Sequence, residues 1–252
     1  PVFVHGKETL QGIVASTPPH LLSASDREKA VQLDDLIIDV GLPAEEVSRL
    51  VKVGDLISYG QQPFELQGDL LVAKSLDNRA SVAAVTACLD ALKDRPHRWD
   101  VVAVATAQEE ITYGGAYASA FGVRPDLAIV IDVTHGAMPG IPEHKTSPVG
   151  EGPTIGWGPN LHPKMFKALS DLASQNEIPF KIEVMPMHSG TDAFAVQVSA
   201  EGIACGLISI PLRYMHTPVE TVSLKDIHRS GRLMAEYILT LNDETLNGLM
   251  LD

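Results

Sequence analysis

The chain has 252 residues, 45% of them hydrophobic, which is ample for one large core or two smaller ones and excludes a disordered or collagen-like polypeptide. Lys and Arg total 19 against 32 Asp and Glu, and the net charge of -13 argues against nucleic-acid and anionic-membrane partners while favouring cations. Cys88 and Cys205 are too few for a disulfide scaffold, and no apolar run approaches the ~20 residues of a spanning helix. With no signal peptide at its start, the expected location is the cytoplasm.

Residues 1–72 carry short apolar runs (2–4, 13–14, 36–38, 56–57) punctuated by Gly6, Gly12, Gly41, Gly54, Gly60 and Gly68. Many short strands with turn signals between them predict a small β-domain. One short helix interrupts it, with Pro43 in its first turn and Glu45 and Glu46 at the positive end of its dipole. Over 73–252 the pattern changes to alternating helices and buried strands. Residues 80–92 have helical spacing, and 101–106 read as a strand buried on both faces, closed by Gly114 and Gly115. A short helix over 115–121, a second buried strand over 126–133 and an amphipathic helix over 163–177 follow. A strand over 181–185, a helix over 192–199 and a third apolar strand over 203–210 come next. The last helix opens with Ser223 and Asp226 in capping-box spacing and runs to about residue 241. Alternation of this kind predicts an α/β fold, a sheet with helices on both faces.

Chemistry collects where these elements end. The run 101–106 leads to Glu109 and Glu110, two adjacent carboxylates that repel unless one is protonated or a cation sits between them. Ligands in open α/β sheets gather outside the carboxyl ends of the strands. Asp77 stands before the first long helix, Asp132 ends the next strand, and His216 follows the third. Each has a plainer reading: Glu109 and Glu110 as a solvated turn, Asp77 as a helix cap, Asp132 as a turn cap, His216 as a packed imidazole. Together they form a set of oxygen and imidazole donors without thiolates, which suits Zn²⁺, Mn²⁺ or Co²⁺.

Several motifs carry a resemblance. They are Pro18-Pro19-His20-Leu21, Asp39-Val40-Gly41, Lys74-Ser75-Leu76-Asp77-Asn78-Arg79, Gln108-Glu109-Glu110, Ile131-Asp132-Val133-Thr134, Ser189-Gly190-Thr191-Asp192-Ala193 and Arg213-Tyr214-Met215-His216-Thr217-Pro218-Val219-Glu220. In this order they resemble the M42 family of metallo-aminopeptidases. The resemblance implies a mixed sheet of the di-zinc exopeptidase kind, a peptide substrate and two divalent metal ions, zinc or cobalt. It implies that Asp77 bridges both ions, that Glu110 and His216 complete the ligands of one, and that Asp132 binds the other. Glu109 is implied as the general base, with Thr191 and Asp192 near the substrate and a cis peptide bond after Asp77. It further implies that the small domain pairs subunits into dimers, which build a homo-oligomer of twelve. Family members carry another His ligand in an upstream His-x-Asp motif, which these residues lack, so the chain is expected to be a fragment that holds at most one metal tightly. The alternatives are a di-metal carboxypeptidase or deacylase, for which Arg213 would hold a substrate carboxylate, and a non-catalytic assembly or peptide-binding subunit.

Overall fold

Short apolar runs separated by glycines form β1 (Val2–His5), β2 (Thr9–Ala15), β3 (Ile37–Asp39), α1 (Ala44–Leu50) and β4 (Leu56–Tyr59) in a computed structural model that describes residues 1–250. The four strands make one antiparallel sheet in the order β3-β2-β1-β4. Alternation along β1 buries Val2 and Val4, whereas Ile13, Ile37, Leu56 and Ile57 stay exposed. This first unit ends at Gln62.

The second unit, Pro63–Asp252, starts earlier than the pattern change at 73 implies, because β5 (Phe64–Leu66) and β6 (Leu70–Ala73) pair into its sheet. Then come α2 (Leu76–Leu92), α3 (Glu109–Thr112), α4 (Gly114–Val123), β7 (Leu127–His135), β8 (Thr154–Trp157), α5 (Pro163–Gln175), β9 (Lys181–Val184), α6 (Asp192–Gln197), β10 (Ala204–Arg213), β11 (Glu220–Ser223), α7 (Leu224–Thr240) and α8 (Thr245–Leu249). The seven-stranded sheet runs β5-β6-β11-β10-β8-β9, with β7 on the remaining edge of β10. Parallel β7 pairs β10 along its whole length, from Ala204 opposite Leu127 to Leu212 opposite His135. On the other edge of β10, Ile208 and Ser209 meet β8 and Leu212 and Arg213 meet β11, both antiparallel. The sheet is therefore mixed.

Strand alternation assigns the two faces. Ile208, Ile210 and Leu212 enter a core with Ala80, Ala84 and Cys88 of α2, Met165 and Leu169 of α5, and Leu233 of α7. Cys205 joins Ala116 and Ala120 of α4 and Ala195 and Val196 of α6, and Leu207 packs with Ala193. Helices cover both faces, as the alternating pattern predicts. Among the described residues, no helix is long and apolar enough to cross a membrane.

Two expectations are corrected, and two strands are added. The run 101–106 is not a strand: no described residue pairs with it, and Val102 and Val104 are 59% and 45% exposed. An apolar run reports a preference for burial, whereas a strand also needs a neighbour's hydrogen bonds. Residues 101–104 instead line a cavity of about 480 Å³ with β7, α2 and α7. The stretches Thr154–Trp157 and Glu220–Ser223, too short to show a period, are strands. The capping-box spacing also misleads, for Ser223 makes no side-chain cap. Fully buried Asp226 accepts hydrogen bonds from the backbone N–H of Gly150 (2.6 Å) and Gly152 (2.7 Å) and from Arg229 (3.3 Å).

Two variants test this account of the core. Asp226→Ala strands both glycine N–H groups, and unfolding in urea should show a loss of about 2–4 kcal/mol; a loss below 1 kcal/mol would mean that water replaces the carboxylate. A Cβ at Gly231, on α7, would lie 2.6 Å from the Ala84 carbonyl oxygen and 2.8 Å from Ala87 Cβ on α2. Gly231→Ala should therefore destabilise the chain by ~1–3 kcal/mol, despite the ~1 kcal/mol that alanine gains in helix propensity. A variant as stable as the parent would rule out the close approach.

Candidate metal centre

Strand direction brings the donors to one side of the sheet. β6 is antiparallel to β11, which is antiparallel to β10, and β7 is parallel to β10, so β6, β7 and β10 all point the same way. Asp77 follows β6, Asp132 lies near the end of β7 and His216 follows β10. Ser75 before α2 has a left-handed backbone (φ 53°), and the Asp77–Asn78 peptide bond is cis. Tyr214 and His216 are also left-handed, with φ of 59° and 62°. For bulky residues this costs about 1–3 kcal/mol each and persists only where the surroundings hold it. Here the Thr217 hydroxyl donates to the Tyr214 carbonyl (2.6 Å), and the His216 N–H donates to Glu220 Oε1 (2.8 Å). The other Glu220 oxygen accepts from the Asp77 N–H at 3.0 Å.

Glu109 and Glu110 open α3 after left-handed Gln108. The turn is packed against Gly115, where an added Cβ would come within 2.3 Å of the Ala107 nitrogen. Only glycine fits this approach.

His216 Nε2 lies 3.0 Å from Asp77 Oδ2 and 3.3 Å from Glu110 Oε2. The three residues can each offer one donor atom, all within 4.8 Å of one another, in an arrangement that could hold a metal ion. The electrostatics fit that use. Burial, then the Glu110 charge, pushes Asp77 up to about 6. Burial, followed by the charges of Glu110, Asp192 and Asp77, pushes Glu109 up to about 7. Asp132, the most buried of them, rises to about 8, although the Val133 N–H favours its ionised form. So many carboxylates in a partly dehydrated space lack positive charge, and a divalent cation held by one nitrogen and two oxygen donors would supply it.

Asp132 does not join that trio. Its Oδ1 accepts from Asn78 Nδ2 (2.5 Å) and from the Val133 N–H (2.8 Å), so Asn78, the residue after Asp77, ties Asp132 to the start of α2. Thr191 is buried at the N-cap of α6, where its hydroxyl accepts from the Ala193 N–H and pairs with Ser189. Asp192 is buried too. Its Oδ2 accepts from the Thr106 hydroxyl, its Oδ1 has no partner, and burial raises its pKa. Arg213 gives its Nε–H to the Ala137 carbonyl (2.8 Å). His135 is exposed at the end of β7. Asn78 and Glu220 stand inside the motifs, and nothing in the sequence gives either a task. Their polarity beside predicted ligands is the available signal, but which atoms they reach is decided by the pairing of Glu220 with Ala73 across β11 and β6.

The chain spans 64% of the length of a curated protein of Acetivibrio thermocellus, to which it is 37% identical over 217 residues, or 83% of its own length. It is 32% identical over 234 residues to the lysyl aminopeptidase of Pyrococcus furiosus, covering 92% of this chain and 67% of that one. The solved TET aminopeptidase from Thaumarchaeota archaeon SCGC AB-539-E09 superposes with a TM-score of 0.91 at 32% identity, over 99% of this chain and 72% of that one. The profile described as M42 glutamyl aminopeptidase matches residues 1–233. With nearly its whole length matched, the chain belongs to the M42 peptidase family.

Proposed function

We propose that the protein is a metal-dependent aminopeptidase that removes N-terminal residues from peptides in the cytoplasm. The convergence of Asp77, Glu110 and His216 beside a second, free carboxylate, Glu109, carries the reading. Asp77, Glu110 and His216 would hold one ion, and Asp77 with Asp132 would contribute to a second, zinc or cobalt being the metals that suit these donors. When bound, such ions polarise a carbonyl and acidify water.

The chain's own residues supply the remainder. Glu109 stands at the start of α3, next to Glu110 but outside the trio. It takes a proton from the attacking water as the C–O bond forms and then hands it to the nitrogen of the departing amine, whereupon the amide C–N bond breaks. Asn78 holds Asp132 in place, and the Thr191 and Asp192 turn forms the wall near the substrate. A carboxypeptidase would need a cationic group at the substrate carboxylate; Arg213 gives one of its five N–H donors to Ala137. The aminopeptidase reading is supported by the lysyl aminopeptidase and the TET aminopeptidase that the chain resembles.

Glu109→Gln should lower turnover of aminoacyl-amide substrates by ~10²–10⁴ while metal content by elemental analysis stays near the parent's. Loss of metal from this variant would make Glu109 a ligand instead. A parent chain without metal and without turnover on the panel would favour the non-catalytic subunit.

We also assign the first unit to assembly. Ile13, Leu33, Ile37, Leu56, Ile57 and Tyr59 are at least half exposed, and so many exposed apolar side chains on a small domain point to a covering partner. A second copy of the chain is the partner that the resemblance implies, with dimers building a twelve-subunit particle. Light scattering should give a mass several times that of one chain, and a stable monomer would refute the assignment.

A further inference from the structure

We infer that Glu220 is a positioning residue that sets the distance between Asp77 and His216, and with it the geometry in which the metal-binding trio closes. The inference rests on the metal-centre reading above, but its observations stand apart from it. Glu220 is 2% exposed, at the first position of β11. Its two oxygens are divided between two backbone donors, Oε2 taking the Asp77 N–H at 3.0 Å and Oε1 the His216 N–H at 2.8 Å. One carboxylate thus ties the loop after β6 to the loop after β10, two segments 139 residues apart along the chain.

Both groups that meet Glu220 are donors, which is why the residue type matters. A carboxylate presents two acceptor oxygens. A glutamine presents one, and its NH₂ would face an N–H, while an aspartate keeps both oxygens on a shorter stem. Partly buried N–H groups lose a charge-assisted partner when the carboxylate goes, which loosens both loops. The His216 backbone is left-handed (φ 62°) and has an added reason to relax once released. The base of the clamp is rigid, because Glu220 is registered opposite Ala73, the last residue of β6. Glu220 touches neither substrate nor ion in this assignment. It acts by holding the main chain of two residues that do.

The test uses the full chain and Co²⁺ as probe. Hydrogen exchange by mass spectrometry should show peptides containing Asp77 and His216 exchanging at least ~10-fold faster in Glu220→Gln, with β7 unchanged. Co²⁺ affinity should fall by ~10–100-fold, with an altered visible spectrum of the bound ion, as when a residue supporting a metal ligand is lost. Exchange and Co²⁺ binding equal to the parent's would overturn the inference. So would a lower unfolding midpoint with an unchanged cobalt spectrum, which is what a merely structural residue would give. Should Glu220→Gln fail to fold, Glu220→Asp takes its place, with several-fold weaker Co²⁺ binding and faster exchange in both segments expected, and parental behaviour overturning the idea. A parent chain that binds no Co²⁺ would refute the metal reading alone, and the exchange comparison would still decide whether Glu220 clamps the two loops.

Discussion

Everything in the larger unit depends on the parallel register of β7 against β10. That ladder places Asp132 opposite Ser209 and brings the two carboxyl ends level, so that the loop carrying His216 leaves the sheet beside the end of β7. A slip of one residue would turn every side chain of the strand to the other face. The apolar alternation of β10 forbids it, since Ile208, Ile210 and Leu212 are committed to the α2, α5 and α7 side and Cys205 and Leu207 to the α4 and α6 side. Packing on two faces thus fixes the position of polar groups that contribute nothing to packing.

The buried and half-buried acids of this unit fall into two kinds. Asp226 and Glu220 each accept two backbone N–H groups, and those bonds organise loops. Asp77, Glu109, Asp132 and Asp192 are different, being held close together with their pKa values raised, chiefly by burial. Asp192 even keeps one oxygen without a partner. Nothing in folding alone recommends such crowding, because each carboxylate makes its neighbours harder to ionise. Sites of this character are where chemistry is usually done, stability being given up locally for it.

Side-chain chemistry proved easier to read than hydrogen-bond pairing. Asp77, Glu110 and His216 stand out because unlike donor types recur where apolar runs end, a pattern visible without any coordinates. The α2, α5 and α7 helices are legible from periodicity, and β7 and β10 from length and apolarity. The run 101–106 has the same apolarity, yet no ladder forms, because pairing depends on residues far away in the chain. Asp226 shows the same limit in another form. Ser223 and Asp226 have the spacing of a cap, but Gly150 and Gly152 are the better customers for the carboxylate, and only the tertiary fold brings them near. Glu220 was equally silent, since its partners are main-chain groups that look alike in every sequence.

The two thiols have a practical consequence for anyone handling the protein. Burial alone pushes Cys88 up to about 11 and Cys205 up to about 12, so neither holds an appreciable thiolate fraction near neutral pH. The thiolate is the form that is oxidised, alkylated or claimed by soft metals. Both cysteines are therefore poor competitors for an added divalent ion, and the folded chain has little need of a thiol reductant for its protection. Common dithiol reductants chelate zinc. A protein whose own sulfurs are sealed away can be stored and titrated without them, so that the ions counted in solution are those its carboxylates and imidazole have taken.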